Sequence, residues 1–132
     1  MQVLLEDIPV MYVTSKNGHE GAAEAFKKLE RTLGWENWET DTRRFYGTMF
    51  NDEYRACAAI EEGDYPDKYG LKKMIIPGGK YRREILENWE EYITDVAGWF
   101  ETMQVGVALD STRPRVEFYS SQTELFLLLP IK

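Results

Sequence analysis

The stretch Arg113-Pro-Arg-Val-Glu-Phe-Tyr-Ser-Ser-Gln-Thr-Glu-Leu-Phe-Leu-Leu-Leu-Pro-Ile-Lys132 decides the fold of this chain. Its two runs of β-forming residues, about 115–119 and 124–131, predict a hairpin around a short polar turn. The first run contains one carboxylate, Glu117, among apolar and aromatic neighbours. Because an isolated buried charge is costly, Glu117 is either a solvent-facing residue of an amphipathic strand or the polar centre of a pocket.

The residues before this hairpin predict the same order of elements twice. A strand at 9–15, a helix at 20–33 that ends at Gly34, and two hairpin strands at 43–50 and 54–61 form the first unit. The second unit follows the same order and finishes with the final hairpin. A connecting loop at 63–70 leads through a short strand at 72–76 to the strand at 81–86 and the helix at 89–103 of this unit.

This order predicts a single α+β domain over residues 1–132, with duplicated strand-helix-strand-strand units at about 8–62 and 71–132. The sheet should be mostly antiparallel and carry both helices on one face. We expect the opposite, concave face to be free to hold a ligand. The apolar stripe predicted for the second helix consists of Trp89, Tyr92, Ile93, Val96, Phe100 and Met103.

The composition favours a globular binding protein over a nucleic-acid-binding one. A chain of 132 residues with 43% hydrophobic side chains can build one real core. The 4 Trp and 8 Tyr supply large apolar faces with polar tips, as pockets and interfaces require. The formal charge of -7 argues against direct nucleic acid binding, since phosphates demand a basic surface, and it favours cationic ligands.

Other candidate sites are weak in this sequence. The only histidine, His19, follows Asn17-Gly18 at the start of the first helix, and we interpret it as a surface residue near the helix cap. Without a second histidine or a cysteine nearby, a metal site lacks ligands, and we expect no metal or cofactor. Cys57 is interpreted as a small buried hydrophobe. Neither a signal peptide nor a membrane span is predicted, so we expect a cytoplasmic protein.

Three motifs carry a resemblance to a known family. They are Ile8-Pro9 at the first strand, Ile76-Pro77-Gly78-Gly79-Lys80-Tyr81 at the second half, and Val116-Glu117-Phe118-Tyr119 followed by Leu128-Leu129-Pro130-Ile131-Lys132. With them nearly the whole chain resembles the GyrI-like small-molecule-binding domain. This is the effector-binding domain of many AraC-type and MerR-type bacterial multidrug regulators, and it also occurs alone. Because only about eight residues precede the first strand, we expect the standalone form, without direct DNA binding.

The resemblance implies a hydrophobic ligand cleft between the two halves, with Glu117 inside it. It also implies lipophilic, often cationic, ligands, and some standalone members hydrolyse cyclopropane-bearing DNA-alkylating compounds with a glutamate and pocket aromatics. For Trp89, which lies on the apolar stripe of the second helix, core packing is favoured over a place in the cleft, and Trp99, off that stripe, belongs either to the surface or to the cleft. If the protein is an enzyme, Glu117 and Tyr119 are the expected catalytic residues. The expected ligand-binding residues are Glu117, Tyr119, Tyr46, Tyr12, Phe45, Trp38, Trp89, Trp99 and Phe126.

Three hypotheses about function remain open at the level of sequence. The first is a binding protein for bulky hydrophobic small molecules, cations among them, in an aromatic cleft centred on Glu117. The second is a hydrolase of strained electrophiles in which Glu117 activates water or protonates the leaving group. The third is an acidic protein-interaction module or inhibitor, sensitive to surface acids such as Glu90 and Glu91. A homodimer is compatible with all three, because hairpin edges can pair.

Overall fold

The computed structural model describes residues 1–39, 41–91 and 95–132. It confirms the predicted α+β class, because eight antiparallel strands form one curled sheet and two main helices pack on it. The strands are β1 (Gln2–Leu5), β2 (Ile8–Thr14), β3 (Phe45–Phe50), β4 (Glu53–Ala59), β5 (Lys72–Ile76), β6 (Gly79–Glu87), β7 (Arg115–Tyr119) and β8 (Glu124–Pro130), and the helices are α1 (Ala22–Leu33), α2 (Pro66–Tyr69) and α3 (Val96–Met103).

Local turn signals explain why the predicted strands and the first helix lie close to the observed ones. Asn51 and Asp52 have φ angles of 50° and 64°, as a two-residue hairpin turn between β3 and β4 requires. Gly34 adopts a left-handed conformation with φ 68° and ends α1. A 3-10 turn at Gly18–Gly21 precedes α1, so the chain enters the helix two residues later than predicted.

Three elements differ from the prediction. Strand β1 was not predicted, because it is four residues long and lies at the sheet edge. The segment predicted as a loop at 63–70 contains α2, which starts at Pro66 and ends before Gly70. The predicted helix at 89–103 is a 3-10 turn at Trp89–Glu91 followed by α3. Two residues of its predicted stripe, Tyr92 and Ile93, lie outside the described residues.

The eight strands follow the order β1-β6-β8-β7-β3-β4-β2-β5. We call β5-β2-β4-β3 the first half-sheet and β7-β8-β6-β1 the second half-sheet. Among the strand pairings of the described residues, β3 with β7 is the one that joins them. Duplication of the sequence over about 8–62 and 71–132 stays a prediction.

The two faces of the sheet bury separate apolar clusters. On the front face, α1 and α3 pack through residues such as Leu29 and Phe100 against strand residues such as Leu127. On the back face, Val10, Tyr81 and their neighbours form a second cluster from strand residues. None of the helices in the described part of the chain has the length and apolar character needed to cross a membrane.

Candidate functional site

Glu117 lies on the front face, at the junction of the half-sheets. Side chains alternate along a strand, so Glu117 and Tyr119 share the front face while Val116 and Phe118 belong to the back-face cluster. Glu117 is 2% exposed, which excludes the solvent-facing alternative for its strand. The carboxylate is therefore buried and must find its partners inside the protein.

Three side chains supply these partners. The hydroxyl groups of Tyr54 and Tyr119 both donate hydrogen bonds to Oε1 of Glu117, at 2.7 Å and 2.6 Å. The other oxygen, Oε2, lies 3.2 Å from Nε2 of His19. Hydrogen bonds to a charged group are stronger than those between neutral groups, so this set compensates for much of the lost hydration. We call these four residues the Glu117 cluster.

His19 lies near the start of the first helix, as interpreted, but it is partly buried and is not a surface residue. Its side chain is 26% exposed, lies in the 3-10 turn before α1 and contacts Glu117. Its ring also meets the ring of Tyr54 edge-on, with the centroids 5.2 Å apart. The hydrogen bond to Glu117 raises the pKa of His19. Burial of the imidazole opposes this increase, and the negative charge of Glu117 adds to it. No local motif revealed this contact, because 98 positions separate the two residues.

Burial keeps the two phenols of the Glu117 cluster protonated. It raises the pKa of Tyr54 and Tyr119 well above the ordinary value, and the negative charge of Glu117 acts in the same direction. Both hydroxyl groups therefore remain hydrogen-bond donors across the range of neutral pH. Tyr54 was not among the predicted site residues, because its position in a strand before Arg55 shows no visible tie to Glu117.

Gly47 makes room for the Glu117 cluster. It is the register partner of Glu117 on the neighbouring strand β3. A Cβ atom at this position would collide with the hydroxyl group of Tyr54 and would lie 2.7 Å from Oε1 of Glu117. The side chains can meet above β3 only because this residue has no Cβ.

An open apolar cavity of about 260 Å³, which we call the front cavity, lies between α1 and the sheet. Phe45 and Tyr119, which are register partners on β3 and β7, contribute to its lining from the two half-sheets. The ring of Tyr119 packs edge-on against Trp89 and Phe26, with the centroids 5.0 Å and 5.2 Å away. The full lining consists of Ala22, Ala23, Phe26, Lys27, Glu30, Trp38, Phe45, Trp89 and Tyr119.

Tyr119 connects the front cavity to the Glu117 cluster. Its ring lines the cavity, and its hydroxyl group binds the buried carboxylate. Glu117 itself is not part of the lining. The polar cluster is therefore adjacent to the cavity and separated from it by a hydrogen-bonded tyrosine.

Two charged residues of α1, Lys27 and Glu30, also line the front cavity. Glu30 is partly buried, and this burial raises its pKa, while the positive charge of Lys27 acts in the opposite direction. Neither residue was among the predicted site residues, because a charged pair on an amphipathic helix is usually solvated.

The predicted ligand-binding residues fall into separate groups. Trp38, Phe45, Trp89 and Tyr119 come together around the front cavity. Trp99 is 43% exposed on α3 and is not part of this lining. Three predicted residues, Tyr12, Tyr46 and Phe126, lie on the back face or line a groove there.

On the back face, which we expected to be free to hold a ligand, a groove is lined by residues that include Tyr46, Phe118 and Phe126. The ring of Tyr46 stacks on Phe118 at 4.8 Å, and the guanidinium of Arg55 lies 4.4 Å from the centre of the Tyr12 ring. These rings are engaged with their neighbours in the sheet. The aromatic front cavity lies on the helix-bearing face, where α1 contributes to its lining.

No family model and no curated protein matches this sequence. Solved structures do resemble it. An integron cassette protein from the mobile metagenome of Vibrio cholerae has a TM-score of 0.68 at 16% identity, with 100% of this chain and 95% of that chain covered. The structure of SAV2435 bound to tetraphenylphosphonium has a TM-score of 0.59 at 13% identity, with 100% and 93% covered.

A hydrolase from Listeria innocua is also similar, with a TM-score of 0.60 at 12% identity, covering 100% of this chain and 90% of that chain. At such low identities these likenesses establish the fold alone. They show that this chain shares its fold with these proteins, and that fold is consistent with the resemblance to the GyrI-like domain.

Proposed function

We propose that this protein binds bulky hydrophobic small molecules, lipophilic cations among them, in the front cavity. Glu117 would serve as the buried polar centre beneath the cavity, acting through Tyr119. The observation that carries the proposal is a preformed aromatic cavity with one tyrosine hydrogen-bonded to a buried carboxylate. Apolar pockets with a few convergent polar groups are the usual form of small-molecule sites.

The size and chemistry of the front cavity suit aromatic ligands. Its volume of about 260 Å³ holds part of a drug-sized molecule, and its open side leaves the remainder in solvent. The rings of Trp38 and Trp89 can stack on flat ligands and attract cations. A neighbour of this fold, SAV2435, was solved with tetraphenylphosphonium, which is a ligand of this chemical class.

Hydrolysis is the second candidate function, and the hydrogen bonding of Glu117 favours it. A carboxylate that contacts two phenols and an imidazole has the groups needed to accept and return a proton. In this alternative, Glu117 would activate a water or protonate the leaving group of a strained electrophile, while Tyr119 orients the substrate. A neighbour of this fold carries the name of a hydrolase.

Tryptophan fluorescence tests the binding proposal, since Trp38 and Trp89 line the front cavity. We expect quenching by methyltriphenylphosphonium and by its neutral near-isostere, triphenylphosphine oxide. Ala23→Phe should fill the cavity and abolish both effects, whereas Ala97→Phe, an exposed control on α3, should preserve them. Equal binding by Ala23→Phe and the unmodified protein would place the ligand elsewhere and refute the proposal.

A product assay distinguishes binding from hydrolysis. Cyclopropane-bearing electrophiles would be incubated with the protein and with Glu117→Gln, and the products would be measured by mass spectrometry. A hydrolase should form product only with the unmodified protein, while Glu117→Gln still binds the substrate. Binding without product in either protein would support the first candidate.

A further inference from the structure

We propose that Glu30 is the carboxylate that meets the positive charge of a bound aromatic cation, and that it, rather than Glu117, sets the preference of the front cavity for cations. This inference rests on the proposed binding function. It names aromatic monocations as the favoured ligand class and the α1 side of the cavity as the place of their charge.

The first support is the position of the two carboxylates. Glu30 is part of the cavity lining, whereas Glu117 is not. The ring of Tyr119 lines the cavity and its hydroxyl group holds Glu117, which is only 2% exposed. A ligand could touch Glu117 only after Tyr119 gave up its hydrogen bond. It can reach Glu30 without any such change.

The second support is the difference in their partners. Both oxygens of Glu117 are already engaged, by two hydroxyl groups and by the imidazole of His19. When His19 is protonated, its charge offsets that of Glu117 as seen from the cavity. No comparable partner within the described residues forms a hydrogen bond or ion pair with the side chain of Glu30.

The surroundings of Glu30 favour a cationic ligand. Glu30 is partly buried beside aromatic side chains, and this burial disfavours its charged form more than the positive charge of Lys27 favours it. A bound cation would pair directly with the carboxylate of Glu30. Because the ligand also excludes water from the site, this electrostatic interaction would be stronger than in solvent. The rings of Trp38 and Trp89 can add attraction through their faces.

Lys27 limits this preference. Lys27 lies one helical turn before Glu30 and lines the same cavity. Its positive charge lowers the pKa of Glu30, which opposes the effect of burial. A ligand with one compact positive charge can approach Glu30 while its apolar rings cover the remaining lining. Removing the charge of Lys27 should therefore strengthen the binding of cations.

The matched ligands methyltriphenylphosphonium and triphenylphosphine oxide test the inference, because they differ mainly in charge. Both would be titrated by tryptophan fluorescence against Glu30→Gln, Glu117→Gln, Lys27→Gln and the control Glu24→Gln. Glu24 is exposed on the same helix but lies outside the front cavity lining, so its variant has the same change in net charge. A partly exposed ion pair corresponds to a change of about fivefold in affinity.

We expect Glu30→Gln to weaken binding of the cation about fivefold, with less than about a twofold change for the neutral ligand. Lys27→Gln should strengthen binding of the cation, and Glu24→Gln should leave both affinities nearly unchanged. Equal effects of Glu30→Gln and Glu24→Gln, or a loss of selectivity confined to Glu117→Gln, would overturn the inference while leaving the binding function intact. Failure of both ligands to bind the unmodified protein would overturn both.

Discussion

Replacing Gly47 with alanine should damage the Glu117 cluster without touching any of its polar groups. The new Cβ would collide with the hydroxyl group of Tyr54 and would lie 2.7 Å from Oε1 of Glu117. Both neighbours are buried on the front face and fixed by hydrogen bonds, so neither can move aside cheaply. We expect Gly47→Ala to push the two groups apart and weaken their hydrogen bond.

The magnitude follows from three contributions. Overpacking in a core costs about 1–3 kcal/mol, and a hydrogen bond to a charged group contributes about 1.5–3 kcal/mol. Reduced freedom of the unfolded chain returns about 0.4–1 kcal/mol when alanine replaces glycine. The free energy of unfolding should therefore fall by about 3 kcal/mol, which corresponds to a decrease of about 10 °C in Tm for a domain of this size.

Urea unfolding followed by tryptophan fluorescence and circular dichroism measures this loss. Gly98→Ala is the matched control, because a Cβ at this exposed helical position meets nothing within 4 Å. It should stabilise the protein by about 0.5–1 kcal/mol. In a Tyr54→Phe background, Gly47→Ala should cost less, since the closest atom is absent. A loss below about 0.5 kcal/mol from Gly47→Ala alone would refute the close approach described above.

Two further predictions concern pH. The raised pKa of His19 means that its charged form contributes stability that is fully present below its ordinary value of 6.5 and is lost as pH rises through the folded value. His19→Gln should remove this decline from the profile of unfolding free energy against pH. Arg43 holds the pKa of Asp64 below its ordinary value of 3.8 through hydrogen bonds of 2.8 Å and 3.1 Å, giving stability that is lost as pH falls through the folded value. Arg43→Gln should lower the free energy of unfolding by about 1.5 kcal/mol at pH 7, because the pair is only partly buried, and the difference should shrink in acid unfolding experiments.

Sequence patterns predicted the order of elements because turns and caps are local. Gly34 and the Asn51-Asp52 turn adopt positive φ angles, and glycine, asparagine and aspartate are the residue types that favour such angles. Strand β1 carries no such signal. It has only four residues, one of them the strongly exposed Leu4, and so short a segment becomes a strand only at the edge of an existing sheet. Its formation depends on pairing with β6, far along the chain.

The site was harder to predict because the sheet buries apolar residues on both faces. Phe45 and Tyr46 are neighbours on β3 and both are 3% exposed, so alternation of polarity could not show which one faces the cavity. The structure places Phe45 in the front cavity lining and Tyr46 on the back face. The contact between His19 and Glu117 escaped prediction for a related reason, since it depends on how the first helix is docked.

The position of the Glu117 cluster across the two half-sheets has a consequence for cooperativity. Glu117 and Tyr119 belong to the second half-sheet, while Tyr54 belongs to the first and His19 to the turn that packs beside it. One strand pairing, β3 with β7, provides the backbone connection between the half-sheets in the described residues. The buried carboxylate therefore forms a noncovalent cross-link over this junction, and we expect it to couple the unfolding of one half-sheet to that of the other.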